Sequence, residues 1–424
     1  MKLKRTDFLK LSALSASAFI PGISSYAGNQ KKLLQEPALE LKPLTGDVKP
    51  ITTEERKERV AKAQRLMNEQ KIAALVIDSG TSLKYFTGIS WWPSERPMVA
   101  IIPAKGEVSY VCPGFEEARL RELITIGKNV YVWQEDESPY AQMIKVFKDA
   151  GYRSGNIGIE ERVRFFIVDG MRKEGGAYNY VSGTPITMPC RLTKSTAELA
   201  LMQKAADITV AAIKHGISQL REGMTQGELA EIIAVAHDQL GGNGGGGLVL
   251  FGVSSSFPHG STKPQTLKKG DIVLMDCGCS VEGYASDITR TVVFGNEPTA
   301  KQLQVWNLEQ QSQLAGFNTA KKGVACEMVD AAARKVITDA GFGPGYKLPG
   351  LPHRTGHGIG MDGHEWGNMV KGNKQLLQPG MCFSIEPTIS LPGEFGVRLE
   401  DCVYMTEEGV KSFSPFAKSI TEPF

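Results

Sequence analysis

Three of the six histidines in this 424-residue chain fall in one stretch, HRTGHGIGMDGHE, from His353 to Glu365. Imidazole at that density, among glycines that let backbone and ligand approach closely, suits metal ligation or proton transfer. Upstream, DIVLMDCGCSVEGYASDITRTVVFG contains two strand-like runs around a turn at Gly283. A regular hairpin turning at 280–283 sets Asp276 directly opposite Asp287, with Cβ atoms about 5 Å apart. Ile272 and Leu274 share the strand face of Asp276, so the pair is predicted to be half-buried. Two bare carboxylates so placed repel each other, and a shared proton or a bound cation must compensate. Downstream, MCFSIEPTISLPGEFGVRLEDCVYM forms a second hairpin candidate, whose pairing about Gly393 sets Glu386 opposite Glu400, with Arg398 on the face of Glu400. Two acidic hairpins with a histidine cluster between them in sequence are what a dinuclear metal site requires. Carboxylates with one imidazole suit Mn²⁺, Co²⁺, Fe²⁺ or Zn²⁺, and the oxygen excess favours the harder ions.

The elements that must carry these groups divide the chain. Its length suggests two domains. Lys and Arg number 48 against 46 Asp and Glu, a balance that asks for neither a nucleic acid nor an anionic membrane as partner. Residues 28–50, polar and with three prolines, read as a linker. Thr52 and Glu55 form a capping-box pattern before a helix, and the β-branched and aromatic runs that follow make 51–188 an α/β domain. A second capping box, Ser195 with Glu198, opens a long amphipathic helix through Leu220 in the domain 189–424, and another helix is predicted from about Gln226 to Leu240. The run GGNGGGG at 241–247 follows a helix and precedes a strand, the wrong order for a dinucleotide fingerprint, and reads as a flexible connection. No internal repeat is evident, although two successive halves with similar element types are allowed. His215 and His237 read as structural, as do Trp91, Trp92 and Trp366 in the first instance.

The N-terminus, MKLKRTDFLKLSALSASAFIPGISSYAGN, places basic residues ahead of a short Ser/Ala-rich apolar run, the pattern of an export signal cleaved after Ala27. KRTDFLK resembles a twin-arginine motif with Thr6 in place of the second arginine. The reading is therefore an exported, periplasmic protein, against the alternative of a buried N-terminal helix. Seven cysteines, an odd number in a long chain, read as buried thiols rather than a disulfide framework.

Taken in order, Asp276, Asp287, His357, Glu386 and Glu400 resemble the ligand set of the pita-bread metallopeptidases, the family of methionine aminopeptidase, aminopeptidase P, prolidase and creatinase. The resemblance is strong over 190–424 and holds in outline over 51–188. It implies an α/β (α+β) fold, with a creatinase-like N-terminal domain followed by a pita-bread catalytic domain. It further implies two divalent ions, Mn²⁺ first among the candidates, with Asp287 and Glu400 bridging, Asp276 chelating one, and His357 with Glu386 holding the other. Glu386 then serves as general base, His364 and His259 donate hydrogen bonds to the carbonyl under attack, and His353 lines the proline-side pocket. Arg398 orients Glu400 or clamps a substrate carboxylate. The separate N-terminal domain and His353 point to the Xaa-Pro branch, acting on small proline-containing peptides as a homodimer. Dipeptidase and aminopeptidase both remain open. A same-fold creatinase-like hydrolase or lyase is the alternative, and a metal-free binding module a third; retention of all five ligands speaks against both.

Overall fold

The computed structural model describes residues 41–424. The expected export signal (1–27) and residues 28–40 of the expected linker lie outside the described residues. Residues 43–50, also expected to be linker, are fastened to the C-terminal half. Leu44 N donates to Leu240 O at 2.9 Å, and Asp47 pairs with Lys204 at 2.9 Å.

Helix Thr53–Glu69 starts where expected, because Thr52 and Glu55 cap each other's backbone amides. Six strands follow: β1 (Ile72–Asp78), β2 (Val99–Pro103), β3 (Ser109–Pro113), β4 (Asn129–Trp133), β5 (Gly155–Ile159) and β6 (Tyr178–Ser182). They form one mixed sheet in the order β4-β3-β2-β1-β5-β6. Alternation in β1 serves two cores: Leu75 and Ile77 face one, Ala74 and Val76 the other. A strand buried on both faces reads as a continuous apolar run, as IAALVI does. Helix Thr184–Arg191 closes this half; Cys190 still belongs to its core, whereas Leu192 belongs to a core of the C-terminal half.

The C-terminal half repeats one plan twice. Helix Thr196–Ser218, opened by the Ser195/Glu198 capping box, packs on helix Gln226–Gln239 and leads to β7 (Asn243–Phe251), β8 (Ile272–Val281), β9 (Tyr284–Ala285) and β10 (Ile288–Val293). Helix Ala300–Thr319 packs on helix Cys326–Asp339 and leads to β11 (Gly356–Gly358), β12 (Glu365–Met369), β13 (Cys382–Ile385), β14 (Thr388–Leu391), β15 (Phe395–Arg398), β16 (Asp401–Met405) and β17 (Val410–Ser412). The same hydrogen bonds recur at equivalent places. Gly223 N donates to Leu267 O at 2.9 Å and Leu267 N to Met224 O at 2.8 Å; Gly323 N to Leu377 O and Leu377 N to Val324 O have the same lengths. Gly223 and Gly323 both turn with positive φ, +83° and +81°. Backbone geometry is shared, but few side chains beyond scattered glycines, leucines and the acidic positions of the hairpins, so the repeat escapes inspection of the sequence.

Two expectations are corrected. The hairpin of β8 turns on two residues, Glu282 (φ 52°) and Gly283 (φ 90°), rather than four. A turn with both central residues left-handed matches the twist of the flanking strands. It shifts the register by two, so Asp276 faces Thr289 and Asp287 becomes its diagonal neighbour. The second hairpin keeps the expected register: Thr388 pairs with Arg398 and Ile385 with Asp401, centred on Gly393.

The glycine run, secondly, is not a flexible connection; 243–247 form the start of β7. A Cβ on Gly247 would stand 2.5 Å from Asp276 O, and one on Gly245 2.2 Å from His237 Cβ, so bare backbone is what lets this strand approach both β8 and helix Gln226–Gln239. His237 is itself a core residue, with Nε2 3.0 Å from Thr209 Oγ1, and burial pushes its pKa down to about 4. Gly246, by contrast, would add a Cβ into open space. Gly245→Ala is therefore expected to lose about 1–3 kcal/mol of stability by overpacking, and Gly246→Ala to stay within about 0.5 kcal/mol of wild type. Denaturant unfolding of the pair checks this, and equal midpoints would refute the close-approach account.

Candidate metal centre

The two acidic hairpins meet where Thr289 and Glu400 exchange backbone hydrogen bonds, Thr289 N to Glu400 O at 3.2 Å and Glu400 N to Thr289 O at 3.1 Å. Around that bridge the duplicated plan delivers carboxylates in pairs. Asp276 on β8 matches Glu386 just after β13, and Asp287 before β10 matches Glu400 before β16. His357 arrives on β11, whose glycines sit against neighbouring backbone: a Cβ on Gly356 or Gly358 would come within 1.9 Å of Ser384 O or 1.6 Å of Trp366 O.

Donor atoms of Asp276, Asp287 and Glu400 lie within 4.8 Å of one another, as do those of His357, Glu386 and Glu400, and those of Asp287, His357 and His364. His357 Nε2 is 3.2 Å from Glu386 Oε1, 3.8 Å from Asp287 Oδ2 and 3.9 Å from Glu400 Oε1. These contacts are not ion pairs, because burial drives the His357 pKa down to about 3. The Nδ1 position faces Gly358 O at 3.1 Å, which places its proton there and leaves the Nε2 lone pair directed at the carboxylates.

The acids respond to their crowding. Burial, followed by the charge of Asp276 and Glu386, raises Asp287 well above the usual carboxylate range; burial and the charge of Asp287 do the same to Glu400. Burial takes Glu386 to about 7, with Arg398 working against it. Thr289 Oγ1 donates to Glu400 Oε2 at 2.7 Å, but Glu400 Oε1 is buried with no partner. An orphaned carboxylate oxygen, three further acids and a neutral imidazole aimed at one space fit a cage for divalent cations.

Supporting groups come from residues two places away on the same strand faces. Ser384 Oγ accepts from His357 N at 3.0 Å and donates to Glu386 Oε1 at 3.3 Å. Thr289, two residues after Asp287, links Glu400 to Arg398 Nε at 3.2 Å. Neither was singled out from sequence, although strand period alone places both beside ligands. Asp330 was also missed, and no local signal marks it: from helix Cys326–Asp339 it accepts from Thr355 N at 3.1 Å and Thr355 Oγ1 at 2.8 Å, anchoring the strand that carries His357.

Arg398 is linked to Glu400 by hydrogen bonds through Thr289 Oγ1. Its Nη2 is bonded to Asp276 Oδ2, and Nη1 donates to Pro258 O at 3.2 Å, which fastens the segment bearing the exposed His259. His364 stacks on His357 with ring centroids 3.8 Å apart, and its Nδ1 lies 3.0 Å from Arg354 Nη2. Since a guanidinium only donates, Nδ1 accepts and the Nε2 proton of His364 is free for a ligand. His353 is buried deeper, Nδ1 toward Arg354 O at 2.7 Å and Nε2 toward Thr388 Oγ1 at 3.0 Å, with burial lowering its pKa to about 4.

The profile of Metallopeptidase family M24 matches residues 200–407, and that of the Creatinase/Prolidase N-terminal domain residues 59–193. An uncharacterized peptidase of Schizosaccharomyces pombe is 36% identical over 90% of this chain and 86% of its own. The chain belongs to metallopeptidase family M24. Another relative, the Xaa-Pro dipeptidase of Lactobacillus delbrueckii subsp. lactis, is 31% identical over 85% of this chain and 97% of its own. Among crystal structures, the dipeptidase PepE from Mycobacterium ulcerans shares 31% identity with a TM-score of 0.79, covering 87% of this chain and 97% of its own. As an M24 member the chain is a metal-dependent hydrolase with the creatinase-like and pita-bread halves expected from its motifs.

Two outcomes test the cage. Asp287→Ala should lose most of the manganese or cobalt retained by wild type after desalting, read by elemental analysis; undiminished content would remove Asp287 from the ligand set. In chelator, Glu386 is protonated in the fold up to about pH 7 but in the unfolded chain only to its ordinary value near 4.5. The folded state therefore holds the extra proton between those values, and this group's contribution to stability falls as pH rises through that window. Metal-free Glu386→Gln should accordingly gain stability relative to wild type from pH 5 to pH 8, and a pH-independent difference would contradict the shift.

Proposed function

We propose that this protein is a dinuclear Xaa-Pro peptidase that cleaves the bond preceding proline in small peptides, dipeptides foremost. The observation that carries the reading is the convergence of Asp276, Asp287, His357, Glu386 and Glu400 on one desolvated space beneath a rim of three further histidines. The names of the relatives, an Xaa-Pro dipeptidase and a dipeptidase, support it. The excess of oxygen donors favours manganese over zinc.

Asp276, Asp287, His357, Glu386 and Glu400 would hold divalent ions, which when bound would supply Lewis-acid polarisation of an amide carbonyl and lower the pKa of a water nucleophile. The protein's own groups do the rest. Glu386 accepts the proton of the attacking water and returns it to the leaving proline nitrogen, a task for a carboxylate whose Oε1 Ser384 already holds by a hydrogen bond. His364, with its Nε2 proton free, donates to the oxyanion, and His259 approaches the same carbonyl from the loop fastened by Arg398. His353, both nitrogens already engaged, offers its ring face to proline. Arg398, already bonded to Thr289, Pro258 and Asp276, has only its second Nη protons left to offer a dipeptide's free carboxylate.

Two further features belong to this reading. Trp92 (84% exposed), Phe115 (64%) and Phe165 (71%) are large aromatic side chains left exposed on the N-terminal half, as a homodimer would use. The N-terminal sequence suits export to the periplasm. Manganese-loaded protein should hydrolyse Gly-Pro and Ala-Pro faster than Xaa-Pro-Xaa tripeptides. Preference for the tripeptides would reassign it to aminopeptidase action, and turnover of neither would remove the peptidase reading.

A further inference from the structure

His364 stands on a loop, 359–364, that joins β11 to β12 without regular structure of its own. The charged residues on either side of it, Asp362 and Glu365, are both tied to groups preceding the catalytic sequence. Arg191, at the end of the last helix of the N-terminal half, places Nη2 2.6 Å from Asp362 Oδ2 and 2.5 Å from Glu365 Oε1. Lys194 Nζ lies 2.9 Å from Glu365 Oε2. Asp362 Oδ1 also accepts from Thr81 Oγ1 at 2.6 Å and lies 2.9 Å from Arg162 Nη1, both in the N-terminal half. Glu365 Oε1 turns back on the loop itself, accepting from Met361 N at 3.0 Å and Asp362 N at 3.2 Å.

The side chains of Arg191 and Lys194 are 3% exposed and that of Glu365 2%, so these charges are shielded from solvent and strongly directional. A network buried to this depth fixes geometry wherever it is attached, and it is attached to the charged residues that flank His364, Asp362 two places before it and Glu365 directly after it. By contrast, among the described residues the imidazole itself is held by stacking on His357 and by the side chain of Arg354.

We propose that Arg191, acting through Asp362 and Glu365, is the positioning residue for His364, so that the N-terminal domain sets the placement of an oxyanion donor at the catalytic centre. The role of His364 in this inference rests on the peptidase reading; its placement rests on the geometry alone. A misplacement of about 1 Å in such a donor can cost about a hundredfold in rate.

The test uses the full chain with isotopically labelled histidine, the His364 ring signal being assigned by its loss in His364→Ala. Asp362→Asn, isosteric, and Arg162→Gln, at the exposed rim, accompany Arg191→Gln in case the last does not fold. The His364 signal should shift or broaden in Asp362→Asn while that of His237, deep in the core, stays in place. With Ala-Pro as substrate, kcat should fall about tenfold or more while KM changes by less than about threefold. Adding Asp362→Asn to His364→Ala should cost nothing further, because the two act as one unit. An unmoved His364 signal, or an equal loss of turnover in the wild-type and His364→Ala backgrounds, would overturn the proposal. Should wild type not cleave Ala-Pro at all, the peptidase reading falls, and the histidine signal still decides whether the clasp positions His364.

Discussion

The structure depends on a repulsion. Asp276, Asp287, Glu386 and Glu400 converge in a space largely stripped of water, where each raises the cost of ionising the next. Without cations such a cluster is tolerable only by keeping protons, and burial pushes three of the four that way. The one imidazole among them is neutral for the complementary reason, since desolvation opposes its charge as well. A cavity that disfavours the charged forms of Asp287, Glu386, Glu400 and His357 is one in which a multivalent cation replaces protons with large gain. The shell around it, Ser384, Thr289 and Asp330, contributes hydrogen bonds that orient donors without adding charge to the cavity.

The duplicated helix pair and strand hairpin explain how a chain can assemble this crowd. Each copy offers one carboxylate from its first strand and one from its second, and the two copies face each other across the Thr289–Glu400 bridge. Neither copy alone could hold a pair of cations; the site exists only at their junction. His357 breaks the symmetry, coming from the second copy, where the first has only the glycine strand β7. The glycines on both sides serve the same end, because β7 and β11 must lie against neighbouring backbone with no side chain between.

Much of this was legible in the sequence because it is encoded locally. Capping boxes at Thr52 and Ser195, the strand period around Asp276 and the Pro-Gly turn at 392–393 are short-range signals, and the elements follow them. The failures were of another kind. The register of the first hairpin turned on whether Ser280 and Val281 belonged to strand or turn, a choice decided by the left-handed pair Glu282 and Gly283. The glycine run looked flexible because composition cannot reveal what stands opposite: Asp276, which demands Gly247, is distant in sequence, and nothing local shows that the strand folds back on His237 of the preceding helix. Asp330 and Arg191 carry no local mark, and only the tertiary fold brings them to Thr355 and Asp362.

The distinction between local and distant encoding bears on how the two halves relate. The five donors lie wholly within the C-terminal half, so the metal cage needs nothing from the N-terminal sheet. The rim above it is different. Lys194, in the segment joining the halves, and Arg191, just before it, reach the loop of His364, while Arg59 from the first helix reaches Tyr284 in the first hairpin at 2.8 Å. Tyr284 in turn donates to Glu198 at 2.8 Å, closing a buried link back to the helix that opens the catalytic half. Hydrolytic competence can thus reside in one half while alignment of the substrate carbonyl depends on the other. On this arrangement the N-terminal domain is the fixed reference against which one side of the active site, a glycine-containing loop with one stacked histidine, is held in place.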